Sequence, residues 1–240
     1  MHPRAGRYTA SGLRTSLLSV PGAVGAEAVG LRPIGEVMGC VVARYEDVTS
    51  GLRRGYATAL DRLREEAVSL GADGVLAIGC TVTRVSAAVH EFVVLGTAVR
   101  ALRGVRPPRP FTTGLSGPDV AKLMLAGWVP VTLAIGIDGA TVFDIAMTAR
   151  PGTEAAVPTD LVTRVRAAAR AEFLASVRES GADGGLVSST TLQAWALGHT
   201  GATAVASVFG TAVARFGAGP APTVSLPVLP LDGDPPGAGR

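Results

Sequence analysis

The sequence predicts an α+β fold of two tandem β-α-β-β units, each with a three-stranded antiparallel-type sheet and one long helix, and each preceded by a short helix. Three observations predict it: the chain repeats itself, each half holds a long stretch with helical spacing of apolar residues, and apolar runs of strand length bracket that stretch. The repeat is plain in the residues. GADGVLAIGC…FVVLGTAV, residues 71–99, returns as GADGGLVSST…SVFGTAV, residues 181–213. The offset is 110 at the start and 114 at the end, so the second copy carries a four-residue insertion. Upstream, TSLLSVP…GLRPIGEVMG from Thr15 returns as TTGLSGP…GWVPVTLAIG from Thr112 at an offset of 97. Thr15/Thr112, Leu18/Leu115, Ser19/Ser116, Pro21/Pro118, Gly30/Gly127, Pro33/Pro130 and Gly39/Gly136 are identical pairs. Between these blocks the second copy is 13 residues longer, mostly across DGATVFDIAMTARPGTEAAVPTD. The expected organisation is a first copy at 14–101, an Arg/Pro-rich linker at 102–110, a second copy at 111–215 and a Gly/Pro-rich tail at 217–240.

Each copy reads as the same series of elements. Ser19 and Ser116 suit a helix N-cap, with Pro21 and Pro118 in the first turn, where a missing N–H costs little. Gly30 and Gly127 end these short helices. A nearly continuous apolar strand follows, IGEVMGCVV or VTLAIGI. The long helix comes next. Leu52, Tyr56, Leu60, Leu63, Ala67 and Leu70 share one face in the first copy, with Arg62, Arg64 and Glu66 facing away. Val162, Val165, Ala169, Phe173 and Val177 do the same in the second. Gly71 and Gly181 end the long helices, and two strands then form a hairpin: GVLAIGCTVTRV with HEFVVLGTAVR, and GLVSSTTLQAWAL with TAVASVFGTAVA. Successive side chains on a strand alternate faces, so the unbroken runs Val37–Val42 and Val93–Leu95 must be covered on both sides. One helix covers one face only. The other face is expected to lie against the second copy or another subunit.

Composition narrows the function classes. Of 240 residues, 48% are hydrophobic and 17% charged, which excludes general disorder. Two Cys cannot form a disulfide framework. The net charge of +3 is unevenly placed: 22 basic residues include Arg4, Arg7 and Arg14 in an N-terminal arm and Arg100, Arg103, Arg106 and Arg109 around RGVRPPRP. The other 15 face 19 acidic residues, so the folded copies are mildly acidic, and the linker reads as a solvated spacer. No aromatic RNA-binding motif, zinc-finger spacing or recognition helix points to nucleic acid, and no nucleic-acid partner is expected. The signal-like start, with LLSVPGAVG before AEA, is repeated mid-chain and therefore belongs to the fold. Without a run of about 18 apolar residues no membrane span is expected, and the cytoplasm is the expected location.

LSVPGAVGAEAVGLRPIGEVMGCVV, LGADGVLAIG and the closing LGTAVR resemble the YbjQ-like family, which carries a heavy-metal-binding label. The resemblance covers nearly all of 14–215. It implies a dodecin-like unit with strand order 1-3-2, assembly into rings with pentamer-like symmetry, and no enzymatic activity. The second copy departs from the pattern in its insertion and in the lack of an aliphatic run after GADGG.

Cys40 and Cys80 are the candidate ligands for a soft metal, with His90 beside Glu91 as a third. A closed site needs three or four convergent ligands, and the sequence has no CxxC, HxH or Cys/His cluster. In the 1-3-2 order the two cysteines lie about two strand spacings apart, about 9–10 Å, too far to share an ion within one copy. Their repeat counterparts are Ile137 and Thr190, and that of His90 is Ala204. Free Cys in an apolar strand packs as a small hydrophobe, with metal capture at an oligomer interface as the alternative. His199 falls in a turn. Gly71, Asp73, Gly96 and Thr97 recur as Gly181, Asp183, Gly210 and Thr211. Asp73 and Asp183 read as turn residues or subunit contacts, and Thr97 and Thr211 as hydroxyls at a close strand approach beside Gly96 and Gly210. No nucleophile elbow, P-loop or HExxH is present, and Glu65/Glu66 read as a solvated helix face. The tail reads as disordered, with SLPVLPL as a possible docking segment. The sequence thus predicts a cytoplasmic, non-enzymatic homo-oligomer that acts as a binding or scaffold module, with thiol-based metal binding as the alternative.

Overall fold

The computed structural model describes residues 16–45, 47–86, 88–104, 106–143, 156–197 and 201–216. The expectations for the Arg-bearing N-terminal arm, His199 and the tail lie outside them. The first unit runs α1 (Val20–Ala28), β1 (Leu31–Arg44), α2 (Val48–Ser69), β2 (Gly74–Arg84) and β3 (Val89–Ala101). A short β4 (Phe111–Thr112) leads into the second: α3 (Gly117–Leu125), β5 (Trp128–Phe143), α4 (Ala156–Glu179), β6 (Gly184–Leu197) and β7 (Gly201–Arg215). The sheets have the orders β1-β3-β2-β4 and β5-β7-β6. The 1-3-2 core of both is antiparallel. Repeat-equivalent residues occupy equivalent rungs. Cys40 pairs with Val93 and Cys80 with Val94; Ile137 pairs with Ser207 and Thr190 with Val208.

Local chemistry explains the element ends. Ser19 Oγ accepts the Gly22 N–H at 3.2 Å and Ser116 Oγ the Asp119 N–H at 3.4 Å, each satisfying an orphan donor of a helix start. Asp47 does the same for α2, accepting the Ser50 N–H at 2.7 Å. Gly30, Gly71, Gly127 and Gly181 follow the helices with φ of 77°, 68°, 84° and 72°, a region that glycine enters without strain. Gly39 and Gly136 have a different task. A Cβ on Gly39 would sit 1.7 Å from the Ala59 carbonyl oxygen, and one on Gly136 2.1 Å from that of Ala169. Each long helix therefore rides directly on the backbone of the first strand of its unit.

Two expectations drawn from helix periodicity and linker composition are corrected. Glu66 does not face solvent: it is fully buried, and its Oε2 accepts the Met38 N–H at 2.6 Å. The reason is that β1 is an edge strand, whose outward N–H and C=O groups need partners where a helix excludes water. Arg62 serves the same edge by donating to the Cys40 carbonyl. In the second unit Glu172 accepts the Ile137 N–H at 2.9 Å. Nor is Arg100 part of a solvated spacer. Its guanidinium donates to the Gly71 and Leu70 carbonyls at 2.9 and 2.8 Å, capping the C-terminus of α2.

Beyond the linker the chain adds a fourth strand to the first sheet, where three were expected. β4 pairs parallel with β2. Phe111 N–H donates to the Asp73 carbonyl and Thr113 N–H to that of Val75, while Ala77 and Ile78 N–H donate to the carbonyls of Leu115 and Thr113. These bonds bring the second unit against the first. The helix-free face of its sheet is covered by α2: Leu133, Ile137 and Val205 belong to one buried cluster with Tyr56, Leu60 and Leu63. Each fully buried side chain of this kind contributes roughly 1.5–3 kcal/mol. The same face of the first sheet has no such cover: Met38, Cys40, Val93 and Leu95 are half-buried and Val42 is 56% exposed.

Gly39→Ala is expected to destabilise the fold by about 2–3 kcal/mol, since the Ala59 carbonyl must shift. Gly79→Ala, which meets nothing within 4 Å, should be near neutral. Thermal melts of the two variants check this.

Candidate functional site

The ladder separates the two thiols more thoroughly than strand spacing alone. Cys40 and Cys80 stand beside consecutive residues of β3, Val93 and Val94, so their side chains leave opposite faces of the sheet. Cys40 lies on the helix-free face, where Sγ donates to Glu91 Oε1 at 3.8 Å. Burial raises its pKa, and the Glu91 charge and hydrogen bond raise it further, with Arg62 opposing. Cys80 lies on the α2 face near Tyr56; burial pushes the Cys80 thiol and the Tyr56 hydroxyl each up to about 12. Both groups are therefore uncharged at neutral pH. His90 pairs with Ala43 and Arg84, on the Cys80 face but four rungs away. The three candidates do not converge, and among the described residues no group of three or more His, Cys, Asp or Glu could hold a metal ion. Cys40 with Glu91 supplies two donors, short of a structural soft-metal site within one chain.

The signature residues are joints. Asp73 is buried, and its Oδ2 accepts the Ala101 N–H at 2.8 Å; Asp183 Oδ2 accepts the Arg215 N–H at 2.8 Å. In each unit the carboxylate thus ties the turn after the long helix to the end of the last strand. Thr97 Oγ accepts the Leu17 N–H at 3.0 Å, and Thr211 Oγ meets Thr113 Oγ at 2.8 Å, so each anchors the segment before its short helix. Gly96 and Gly210 face register shifts in β2 and β6. A Cβ on Gly96 would come within 2.6 Å of Val75, and one on Gly210 within 2.2 Å of the Leu186 carbonyl, so both permit the bulge opposite. In the first unit the bulge holds Ala77 at φ 51°, which aims its N–H at the incoming connector.

A cleft of about 500 Å³ lies at the seam between the units, with Tyr56 and Cys80 on one side and Thr191 and Ser207 on the other. It could not be read from the sequence, because Tyr56 and Cys80 lie more than a hundred residues from Thr191 and Ser207.

Residues 23–102 match the model of the YbjQ family, described as "putative heavy-metal-binding", so this third of the chain is similar to that family. No curated protein and no solved structure matches the chain. Among the described residues no helix is long and apolar enough to cross a membrane.

A raised pKa leaves less thiolate, so iodoacetamide at pH 8 should alkylate Cys80 about a thousandfold more slowly than a thiol with the ordinary value of 9.0. Cys40 should react faster than Cys80, and Glu91→Gln should accelerate it by removing the charge that disfavours the thiolate. Peptide mapping by mass spectrometry reads both sites.

Proposed function

We infer that the protein is a non-enzymatic, oligomer-forming binding or scaffold protein of the YbjQ-like type, and that the second unit is a diverged copy of the first. One observation carries the reading: α2 covers the helix-free face of the second sheet, whereas the equivalent face of the first is open. Glu36, Met38 and Cys40 stand at the repeat positions of Leu133, Ile135 and Ile137, which α2 covers. A second chain that offered its α4 to this face would repeat the internal contact. Exposed Arg166 and Arg170 on α4 hold the repeat positions of Tyr56 and Leu60, and the open face carries the carboxylates Glu36 and Glu91, so the two surfaces are opposite in charge. The contact is head-to-tail, a geometry that closes into a ring when its rotation allows.

Static light scattering is expected to give a defined multiple of the 24.2 kDa chain mass, and Val42→Glu on the open face should dissociate it at least tenfold. A wild-type chain that stays monomeric at all concentrations would overturn the reading.

A second reading, binding of a soft metal ion, rests on the family description and on Cys40 with Glu91 facing the open side, where a neighbouring chain could complete a donor set. Native mass spectrometry during zinc or cadmium titration should then show binding that disappears in the Cys40→Ser, Cys80→Ser double variant. Unchanged stoichiometry would remove it.

A further inference from the structure

We propose that the cleft at the seam of the two units is a binding site for a small uncharged aromatic molecule carrying a hydroxyl or amide group. The inference rests on reading the chain as a binding protein and names the ligand class. Three features of the cleft argue for it.

The first is the lining chemistry. Among the described residues no Lys, Arg, His, Asp or Glu lines the cleft. An ionised ligand would lose hydration there without gaining a counter-charge, which disfavours its binding. The two titratable groups that do line it, Tyr56 and Cys80, stay protonated at neutral pH because burial holds both up to about 12.

The second is unspent hydrogen-bonding capacity. Tyr56, Ser189, Thr191, Gln193 and Ser207 all line the cleft. Among the described residues none of their side chains makes a hydrogen bond to another protein group. Ser207 is only 8% exposed, and its hydroxyl has no hydrogen-bond partner among the described residues; it is reached by solvent rather than sealed, so it can bond a group that enters the cleft. It shares a rung and a face with Thr191 on the neighbouring strand, giving two hydroxyls side by side.

The third is the shape and floor. A volume of about 500 Å³ lies in the range of small-molecule sites. Leu52, Ile78, Val205 and Phe209 supply apolar surface, and the Tyr56 and Phe209 rings meet edge to face with centroids 5.3 Å apart. A flat apolar body fits against such rings while its polar edge reaches the hydroxyls of β6 and β7. Both units contribute walls, so neither half of the chain holds the site alone.

The test uses the full chain with Nile red, an uncharged fluorescent dye, and a matched pair of competitors, 2-naphthol and 2-naphthalenesulfonate. Saturable binding of one dye per chain is expected, displaced by the naphthol at least tenfold more effectively than by the sulfonate. Thr191→Trp fills the cleft from an exposed strand position and should weaken dye binding at least tenfold. Thr190→Trp, one residue away on the opposite face, should change it less than twofold. Ser207→Ala, a small change that leaves the fold intact, should weaken naphthol about two- to tenfold and leave naphthalene unaffected. Absence of saturable binding, equal affinity in the two Trp variants, or equal displacement by the sulfonate would overturn the proposal. Light scattering on the same samples separates the two readings. Assembly without dye binding overturns the ligand site alone, and dye binding by a persistent monomer overturns the assembly alone.

Discussion

Four backbone hydrogen bonds join the connector at 111–115 to the bulged edge of β2, and the relation between the units follows from them. A parallel strand of two residues is a weak element by itself. Here it is extended by Ala77 and Ile78, whose N–H groups turn outward at the bulge to reach the carbonyls of Leu115 and Thr113. Ala77 accepts an unfavourable left-handed conformation to do so, roughly 1–2 kcal/mol for a residue with a Cβ. Thr112 Oγ then accepts the Leu133 N–H at 3.0 Å, which carries the registration into β5. With the connector fixed, α2 lies across the helix-free face of the second sheet, and Arg53 reaches the Ile137 carbonyl at 2.8 Å and Glu172 at 2.8 Å. The same placement leaves the short helices in contact, where a Cβ on Gly117 would collide with the Gly22 carbonyl at 1.8 Å.

The division of labour between polar and apolar groups is consistent across both units. Long polar side chains of the helices close the outer edges of β1 and β5, while the turn aspartates close the ends of β3 and β7. Removing such a partner would leave a buried backbone donor unsatisfied, which costs about 1–3 kcal/mol. The units differ in their second sheet face. One is covered over β5 and β7 by α2 and opens at β6 into the cleft, and one presents a mixed surface of Met38, Cys40 and Val42.

Much of this was legible in the residues, and the parts that were not share a cause. The repeat offsets alone put Cys40 and Ile137 on equivalent rungs of their two sheets, because strand registers follow the apolar pattern. The capping Ser, Asp and Gly residues act within a few positions of themselves, so the sequence displays them directly. Glu66 was misread because helical periodicity sorts side chains by polarity and knows nothing of an edge strand beneath the helix. Arg100 was misread for the same kind of reason: its role depends on Leu70 and Gly71, carbonyls thirty residues earlier. Of the candidate site, the pairing of Asp73 with the strand end could be suspected from its recurrence at Asp183. The seam between the units could not, since Tyr56, Cys80 and Ser207 meet only once both sheets are stacked.

The short connector also has a kinetic meaning. Because the two units are tethered through about ten residues, their contact is an intramolecular event, with an effective concentration on the order of millimolar for a short tether. Dilution can separate one chain from another but cannot part the halves of a single chain. The stacked pair is thereby made independent of expression level. The two halves therefore meet without either having to find its counterpart in solution.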